Sequence, residues 1–245
     1  RTREFLRYQM KNPDATKRTL LKFSHPNDIK DMGTFNEEVK GQDDLQYLYL
    51  PATDKLRRVS SKSTSWMGSD FNFEDISEAE FENFSYSGLS SGTFDGHACH
   101  IYTKTPMKPE HSIYGKQVEW VRTDGFLPVK TAYYDKEGKE LKVFEFTDLR
   151  DSGLAGVKHA WKIVARNLQD GHSTELSRLW LRLDTGLAEQ CATPDYLKKS
   201  IAFYNHPADL WAIWEDGRKK EAGDKAERPM VSQALGKGGS VAAMP

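Results

Sequence analysis

Residues 47–76, YLYLPATDKLRRVSSKSTSWMGSDFNFEDI, hold the pattern that decides the fold. A strand-like run that begins at Leu45 ends before Pro51, and a second run follows at Lys55 to Ser60, which predicts two strands joined by a short turn. After them comes a Ser- and Gly-rich segment that carries large apolar side chains, although surface loops are normally polar. These side chains are Trp66, Met67, Phe71 and Phe73. The segment therefore predicts an apolar surface in the fold that receives them.

Turn motifs divide much of the remaining chain into short strands. Asp95-Gly96, Asp124-Gly125 and the turns at Gly138 and Gly171 each separate two strand-like runs, and many short strands joined by such turns are typical of sandwiches and barrels. Alternation places the side chains of each strand on two faces, and residues 174–183 fit one continuous strand. Helical spacing or capping predicts short helices at 73–84, 194–204 and 208–214. The pattern indicates an antiparallel, mainly β (α+β) protein.

Composition excludes some classes of protein. The 245 residues contain 38% hydrophobic side chains, with a mean hydropathy of -0.70, and no apolar run approaches the roughly 20 residues of a membrane span. A net charge of -1 supplies no basic field for nucleic acid. We therefore expect neither an integral membrane protein nor a nucleic-acid binder.

The two ends of the sequence and its two cysteines lead to further expectations. The sequence starts at Arg1 with no signal peptide, which predicts a mature or trimmed form, and whether a natural N-terminus carries a lipid anchor stays open. Residues 215–245 are rich in Gly, Lys, Glu and Ala, which predicts an extended or flexible tail. Cys99 and Cys191 lie far apart, so a disulfide and two separate buried thiols both remain possible.

The opening stretch resembles a known family. Tyr49-Leu50-Pro51-Ala52, the run from Arg57 to Ser61, the run from Met67 to Phe71, and Glu74-Asp75-Ile76 are similar to the motifs of periplasmic outer-membrane lipoprotein-sorting proteins, relatives of LolA and LolB. Similarity continues through Phe23-Ser24-His25-Pro26 as far as the Thr193-Pro194-Asp195-Tyr196-Leu197 segment. It spans most of residues 18–202.

The resemblance implies a fold and a compartment. Family members have a curved antiparallel sheet that forms a half-open, LolA-like barrel around a few short helices and encloses a hydrophobic cavity. We therefore expect a lipid-binding half-barrel domain over residues 1–204 and a C-terminal extension over 205–245, partly helical and then flexible. The resemblance also implies a periplasmic protein with transient membrane contact and, as a partner, a lipid exporter of the RND type.

Large apolar residues on the predicted strands and on the Trp66 segment are the candidate cavity wall. The prediction names Trp66, Met67, Phe71, Phe73, Trp120, Tyr133, Phe144, Phe146 and Trp161. The alternative for this set is ordinary core packing. Arg57 and Arg58 are candidates for a polar rim that meets a lipid phosphate or carboxylate, since guanidinium groups suit such oxyanions. Their alternatives are a solvated strand edge or an ion pair with Asp70 or Asp75.

Motifs of catalysis and metal binding are weak in this sequence. Residues 88–92, GLSSG, match the nucleophile-elbow pattern, but a strand follows them where that chemistry needs a helix. His97 and Cys99 share a strand face from which His100 points away, so they do not form a metal cluster. The acids at Glu74, Asp75, Glu78 and Glu80 are expected to be solvated. We predict no cofactor, no metal and no catalytic residue.

The sequence thus predicts a carrier that binds an acyl chain and moves it between membranes. Two alternatives stay open. One is an adaptor or structural envelope protein whose interior is filled by its own side chains and which docks to an exporter. The other is an envelope hydrolase, which would need a Ser, a His and a carboxylate within hydrogen-bond reach.

Overall fold

The computed structural model describes residues 2–40, 42, 44–59, 63–77, 81–152, 156–183, 186–201 and 239–244. None of the helices in these residues is long and apolar enough to cross a membrane. Two short α-helices are present, α1 (Phe73–Ile76) and α2 (Pro194–Lys198). Fourteen strands make up most of the described chain: β1 (Glu4–Lys11), β2 (Lys17–His25), β3 (Gly33–Glu37), β4 (Leu45–Leu50), β5 (Lys55–Arg58), β6 (Phe84–Phe94), β7 (His97–Pro106), β8 (Lys116–Arg122), β9 (Pro128–Tyr134), β10 (Glu140–Asp151), β11 (Lys158–Asn167), β12 (Ser173–Ser177), β13 (Trp180–Arg182) and β14 (Gly239–Met244).

The strands belong to two compact units, each with one seven-stranded antiparallel sheet. Unit 1 consists of residues 1–60 and 178–245, and unit 2 of residues 61–177. The predicted mainly β, antiparallel, LolA-like architecture is confirmed, with two sheets in place of one. Within the described residues, neither sheet closes into a barrel. The predicted boundary at residue 204 lies outside the described residues and stays a prediction.

Unit 1 has the strand order β13-β14-β1-β2-β3-β4-β5. The sequence predicts an extended or flexible tail over residues 215–245, whereas residues 239–244 form β14, which pairs with β1 and with β13. This pairing supplies hydrogen-bond partners to a side of β1 that would otherwise be an open edge. The predicted helical turn at 208–214 lies outside the described residues.

The segment from Thr174 to Leu183 is a second correction. A single strand is predicted there, but β12 ends at Ser177 in unit 2 and β13 begins at Trp180 in unit 1. Alternation of apolar and polar residues is the same in strands of either sheet, so the pattern could not show that the chain changes sheets at this point.

The core of unit 1 lies between one face of its sheet and residues 187–201. Thr193 accepts a hydrogen bond from the Tyr196 N–H, and Pro194 occupies the first helical position, which confirms the predicted start of α2. The helix ends earlier than predicted, at Lys198. Buried residues from both layers form the cluster: Leu6, Tyr8, Met10, Leu20, Phe35 and Tyr49 from the strands, and Leu187, Cys191, Ala192, Tyr196, Leu197 and Ile201 from the segment that covers them.

Lys22 is a charged side chain that lies fully buried on this face of β2. Its ammonium group donates to the Leu197 carbonyl and lies 4.7 Å from the centre of the Tyr49 ring. Burial lowers the pKa of Lys22 from 10.5 to about 8, and the charge of Asp31 opposes this decrease. The ammonium is therefore less stable here than in the unfolded chain.

The free energy of unfolding should consequently rise with pH between about 8 and 10.5. In this range the unfolded chain binds the Lys22 proton more strongly than the folded one, so raising the pH favours the folded state. The expected contribution is on the order of 2–3 kcal/mol. Urea unfolding of wild type and Lys22→Met at pH values near 8 and 10.5 isolates this contribution. Lys11→Met is the control, because Lys11 is exposed at the end of β1. An equal pH dependence in wild type and Lys22→Met would contradict the assignment.

Unit 2 has the strand order β12-β11-β10-β9-β8-β7-β6. The predicted hairpin turn between β6 and β7 is present, with positive φ at Asp95 and Gly96, as two-residue hairpins require. Directly paired residues share a face of the sheet, so the register defines two faces. Face A carries Phe144, Ala165 and Thr174 in one row across three strands, and Phe146, Ile163 and Leu176 in the next.

Face B is the more polar side of the same sheet. Trp120, Lys130, Glu145, Val164 and Glu175 form one row on it. Two ion pairs lie on this face, Arg166 with Glu145 at 2.6 Å and Lys162 with Glu175 at 2.8 Å. This polarity contrasts with face A and marks face A as the side where the sheet packs.

Candidate functional site

Segment 63–77 folds back on itself and packs on face A of unit 2. Ser65 and Asn72 form a bridge, and the Trp66 N–H donates to the Phe71 carbonyl at 2.7 Å. The turn places Met67 and Gly68 at positive φ. The helix α1 begins at Phe73, where the Asn72 N–H donates to the Asp75 carboxylate at 2.6 Å. The segment thus presents Asp70, Phe71 and Asp75 to the sheet.

A buried ion pair fixes the segment to β10. The Lys142 Nζ lies 2.5 Å from Asp75 Oδ2, and the two side chains are 3% and 0% exposed. Lys142 also donates to the Asp70 carbonyl at 3.2 Å, and the Tyr114 hydroxyl donates to Asp75 Oδ1 at 2.6 Å. With the Asn72 N–H, the Asp75 carboxylate therefore has three donors, and the Lys142 ammonium has two acceptors. A buried ion pair is tolerated when its hydrogen bonds are satisfied in this way.

Aromatic rings surround this ion pair. The Lys142 ammonium lies 5.1 Å from the Tyr114 and Phe144 ring centres and 5.4 Å from that of Tyr133. Burial lowers the pKa of Lys142, while Asp75 acts in the opposite direction. Burial also raises the pKa of Tyr114 and of Tyr133, and the Asp75 charge adds to both. Both phenols therefore stay protonated, and Tyr114 remains a donor.

Two other acids of the segment bind different parts of unit 2. Asp70 Oδ2 accepts from Thr174 Oγ1 at 2.5 Å and contacts His172 Nδ1 at 2.8 Å. Glu74 accepts from the Ser112 hydroxyl at 2.5 Å and from the Ile113 N–H at 2.8 Å. Together with Asp75, these acids attach the segment to β10, to β12 and to the loop before β8.

The prediction that the acids of this region are solvated is wrong for Glu74 and Asp75. Their partners lie 38 to 67 residues further along the chain, so local spacing could not identify them. Glu78 and Glu80 lie outside the described residues. The partners of Asp70 and Asp75 named above lie within unit 2, and the alternative in which Arg57 or Arg58 pairs with one of these carboxylates stays a prediction.

Five of the predicted wall residues are buried in unit 2, with 3% to 9% of their surface exposed. They are Trp66, Phe71, Phe73, Tyr133 and Phe144. Three ring contacts link Phe71 to Phe144 at 5.0 Å, Phe144 to Tyr133 at 4.7 Å, and Tyr133 to Tyr114 at 4.7 Å. The chain's own side chains thus fill this part of face A, as in the alternative of ordinary core packing.

Face A continues beyond the area that Phe71 covers. We call Phe146, Trp161, Ile163 and Leu176 the apolar strip; these four side chains share face A and are half-buried. Phe146 and Trp161 belong to the predicted wall, whereas Ile163 and Leu176 do not. The alternation in β11 placed Ile163 beside Trp161 and could have identified it. Leu176 could not be assigned, because its strand was predicted to continue to residue 183.

The remaining predicted site residues lie elsewhere. Trp120 is half-buried on face B, with the Lys130 ammonium 4.6 Å from its ring centre, so it is on the opposite side of the sheet from Phe144. Met67 is half-buried in the turn of segment 63–77. Arg57 and Arg58 are exposed on β5, in unit 1.

The structure also shows where the candidate motifs for catalysis and metal binding lie. Residues 88–92 lie within β6, and the next element is β7, so the strand, turn and helix of a nucleophile elbow are not formed there. Among the described residues, no group of three or more His, Cys, Asp or Glu side chains is arranged to hold a metal ion. Cys99 and Cys191 are both buried, free thiols.

Comparisons with known proteins agree with this fold. A family model described as "Uncharacterized protein" matches residues 15–199. No curated protein matches the chain. A "putative outer membrane lipoprotein-sorting protein domain" from Vibrio parahaemolyticus is 29% identical, with a TM-score of 0.72 over 80% of this chain and 91% of the other.

Two further solved structures are similar. A DUF1329 family protein from Desulfovibrio piger is 26% identical, with a TM-score of 0.72 over 80% of this chain and 90% of the other. A LolA superfamily protein from Nitrosomonas europaea is 17% identical, with a TM-score of 0.55 over 79% of this chain and 90% of the other. This last similarity concerns the fold alone.

Proposed function

The chain belongs to the DUF1329 family, and from that membership we propose that it is a periplasmic carrier that binds the acyl chain of a lipid or lipoprotein. The resemblance to lipoprotein-sorting proteins that the sequence indicated is confirmed. The similar domain from Vibrio parahaemolyticus carries that description, and the fold is shared with the LolA superfamily. The proposal includes no bond-making or bond-breaking chemistry.

The apolar strip is the observation that supports this function. Its four side chains are half-buried on a face whose adjacent part is fully packed, so they offer apolar surface next to a rigid wall. Each methylene that an acyl chain buries there would contribute about 0.8 kcal/mol. A stretch of roughly ten carbons is therefore enough for reversible binding after the costs of ordering are subtracted.

The rigid wall itself follows from the buried polar bonds of segment 63–77. Ligand sites are mostly apolar and largely formed in advance, and a wall held by the Lys142–Asp75 pair and the Asp70 bonds meets that condition. In this proposal, Phe71 and Phe144 support the site, and Phe146, Trp161, Ile163 and Leu176 contact the ligand.

An adaptor function is the second candidate. The observation that favours it is the burial of Trp66, Phe71, Phe73, Tyr133 and Phe144, which fills part of the predicted cavity wall with the chain's own side chains. In that function, the protein docks to a membrane exporter and carries no lipid. In the carrier function, an exporter of the RND type is a proposed source or recipient of the lipid.

The test compares two lysine substitutions at neighbouring positions of β11. Ile163→Lys places a charge in the apolar strip, and a buried ammonium without a partner is costly, so affinity for a fluorescent fatty acid should fall at least about tenfold. Val164→Lys is the matched control, because Val164 lies on face B between Glu145 and Glu175. It should bind like wild type. Circular dichroism checks that both variants are folded.

A second experiment on the carrier function measures the lipid content of the natural protein. Native mass spectrometry and organic extraction of protein purified from its own host should find co-purified lipid near one per chain. Protein that is empty and also takes up no fluorescent fatty acid would overturn the carrier function and support the adaptor. Equal binding by wild type and Ile163→Lys would overturn the assignment of the site to the strip.

A further inference from the structure

The strand β6 is a long exposed edge. It is the last strand in the order of the unit 2 sheet, so within the described part of the chain one side of its backbone has no neighbouring strand. Its 11 residues extend roughly 36 Å, and eight of them are exposed. The unpaired N–H and C=O groups of such an edge can accept another strand.

This edge lacks the protection that the other sheet edges carry. The β5 edge contains Lys55, Arg57 and Arg58, the β12 edge contains Glu175, and the β13 edge contains Arg182. Charged side chains of this kind prevent edge-to-edge pairing. The β6 sequence, FSYSGLSSGTF, contains no charged residue and no proline. Pairing of this strand with another strand is therefore not opposed by charge.

An irregularity lies at the middle of β6. The register with β7 shifts between Ser87 and Ser90, and Gly88 there has a φ of +67°. A bulge of this kind hinders pairing with a regular strand. A second copy of β6, turned by a two-fold axis between Gly88 and Leu89, instead places bulge against bulge. The regular stretch 84–87 of each copy then meets the stretch 90–93 of the other.

The side chains suit this arrangement. Residues paired across the axis must share a face of the sheet, and Ser87 and Ser90 do, since they pair with Thr103 and Ile101, two residues apart on β7. In the same register, Tyr86 faces Ser91 of the second copy. Phe84 faces Thr93, so each aromatic ring meets a small side chain and no pair of bulky residues collides.

Exposed apolar side chains mark the same edge. Leu89, beside the two-fold axis, is 75% exposed, and Phe81 is 70% exposed and stacks on Tyr86 with ring centres 4.5 Å apart. Two Leu89 side chains would approach each other at the axis and lose contact with water, which favours association.

We propose that two copies of this chain associate through β6, in an antiparallel pairing that joins their unit 2 sheets into one. The two-fold axis makes the interface self-complementary, because the same patch serves on both copies. This inference does not depend on the lipid-binding function.

The experiment uses the full chain and two double variants. In Ser87→Lys/Ser90→Lys, lysine faces lysine twice across the axis, which should weaken dimerisation roughly tenfold or more. In Ser87→Lys/Ser90→Glu, lysine faces glutamate twice, so the dimer should be retained. Both positions are exposed, and neither change disturbs the core. Ser173→Lys, on the opposite edge strand of the same sheet, is the control.

Sedimentation velocity over a micromolar to near-millimolar concentration series measures the result. We expect a dimer for wild type, for the lysine–glutamate variant and for Ser173→Lys, and a shift towards monomer for the lysine–lysine variant. A wild-type protein that stays monomeric throughout would overturn the proposal, as would a dimer that the lysine–lysine variant forms equally well. Equal loss in both double variants would overturn the proposed register.

Discussion

Replacement of Lys142 by Met is expected to lower the free energy of unfolding by about 3–5 kcal/mol. The substitution keeps the length of the side chain but leaves the Asp75 carboxylate, which is 0% exposed, without its cation. The Tyr114 hydroxyl and the Asn72 N–H remain as donors and do not neutralise the charge. Urea unfolding monitored by intrinsic fluorescence gives the value.

A surface ion pair on the same sheet is the matched control. Lys162 and Glu175 are 41% and 52% exposed, so Lys162→Met should cost less than about 1 kcal/mol. The double variant Lys142→Met/Asp75→Leu tests the coupling. Because it removes both charges, it should be less destabilised than the sum of the two single variants. Additive effects would show that the pair does not anchor segment 63–77.

Truncation of Phe144 to Ala is the second change with a large expected effect, about 3–5 kcal/mol. The ring contacts Phe71 and Tyr133 at centre distances of 5.0 and 4.7 Å, and the residue is 3% exposed. Its removal leaves a cavity between segment 63–77 and the sheet, which the surrounding bonds prevent from collapsing. Thermal and urea unfolding measure the loss.

Phe126 serves as the control for this prediction. It is 72% exposed, so Phe126→Ala should change the free energy of unfolding by no more than about 0.5 kcal/mol. A cost below about 1 kcal/mol for Phe144→Ala would contradict the assignment of Phe144 to the core. It would place the ring in the accessible wall instead.

Phe144→Ala and Ile163→Lys distinguish residues that stabilise the wall from residues that contact the ligand. Phe144→Ala should reduce stability while the folded fraction still binds a fluorescent fatty acid, because the ring faces Phe71 and not the ligand. Ile163→Lys should reduce affinity at a smaller cost in stability, because its side chain is only half-buried. If Phe144→Ala abolishes binding in the folded protein and Ile163→Lys does not, the proposed division of face A is wrong.

Several features of the fold were accessible from the sequence. The Asp95-Gly96 turn, the break at Pro51 and the Thr193-Pro194 start of α2 depend on the conformational preferences of one or two residues, and all are present. Recognition of the family depended on contiguous motifs in the same way. The faces of β10 and β11 followed from alternation over a few residues.

Other features required the folded chain. The sequence predicted solvated acids at Glu74 and Asp75, because their spacing resembles a polar helix face. In the structure, Asp75 is buried because it pairs with Lys142, which lies 67 residues away along the chain. Trp120 was grouped with Phe144 although the two residues occupy opposite faces, since alternation within one strand does not say which face it shares with another.

The amino-acid sequence by itself determined where strands start and turn, which side chains alternate, and to which family the chain belongs, because these depend on backbone preferences and on neighbours along the chain. Only the tertiary structure decided that β12 and β13 belong to different sheets, that Asp75 is buried against Lys142, and that Phe71 and Phe144 fill the wall beside the apolar strip. Burial and ion pairing depend on which distant segments meet, and a charge leaves water for the core only where the fold brings a partner to it.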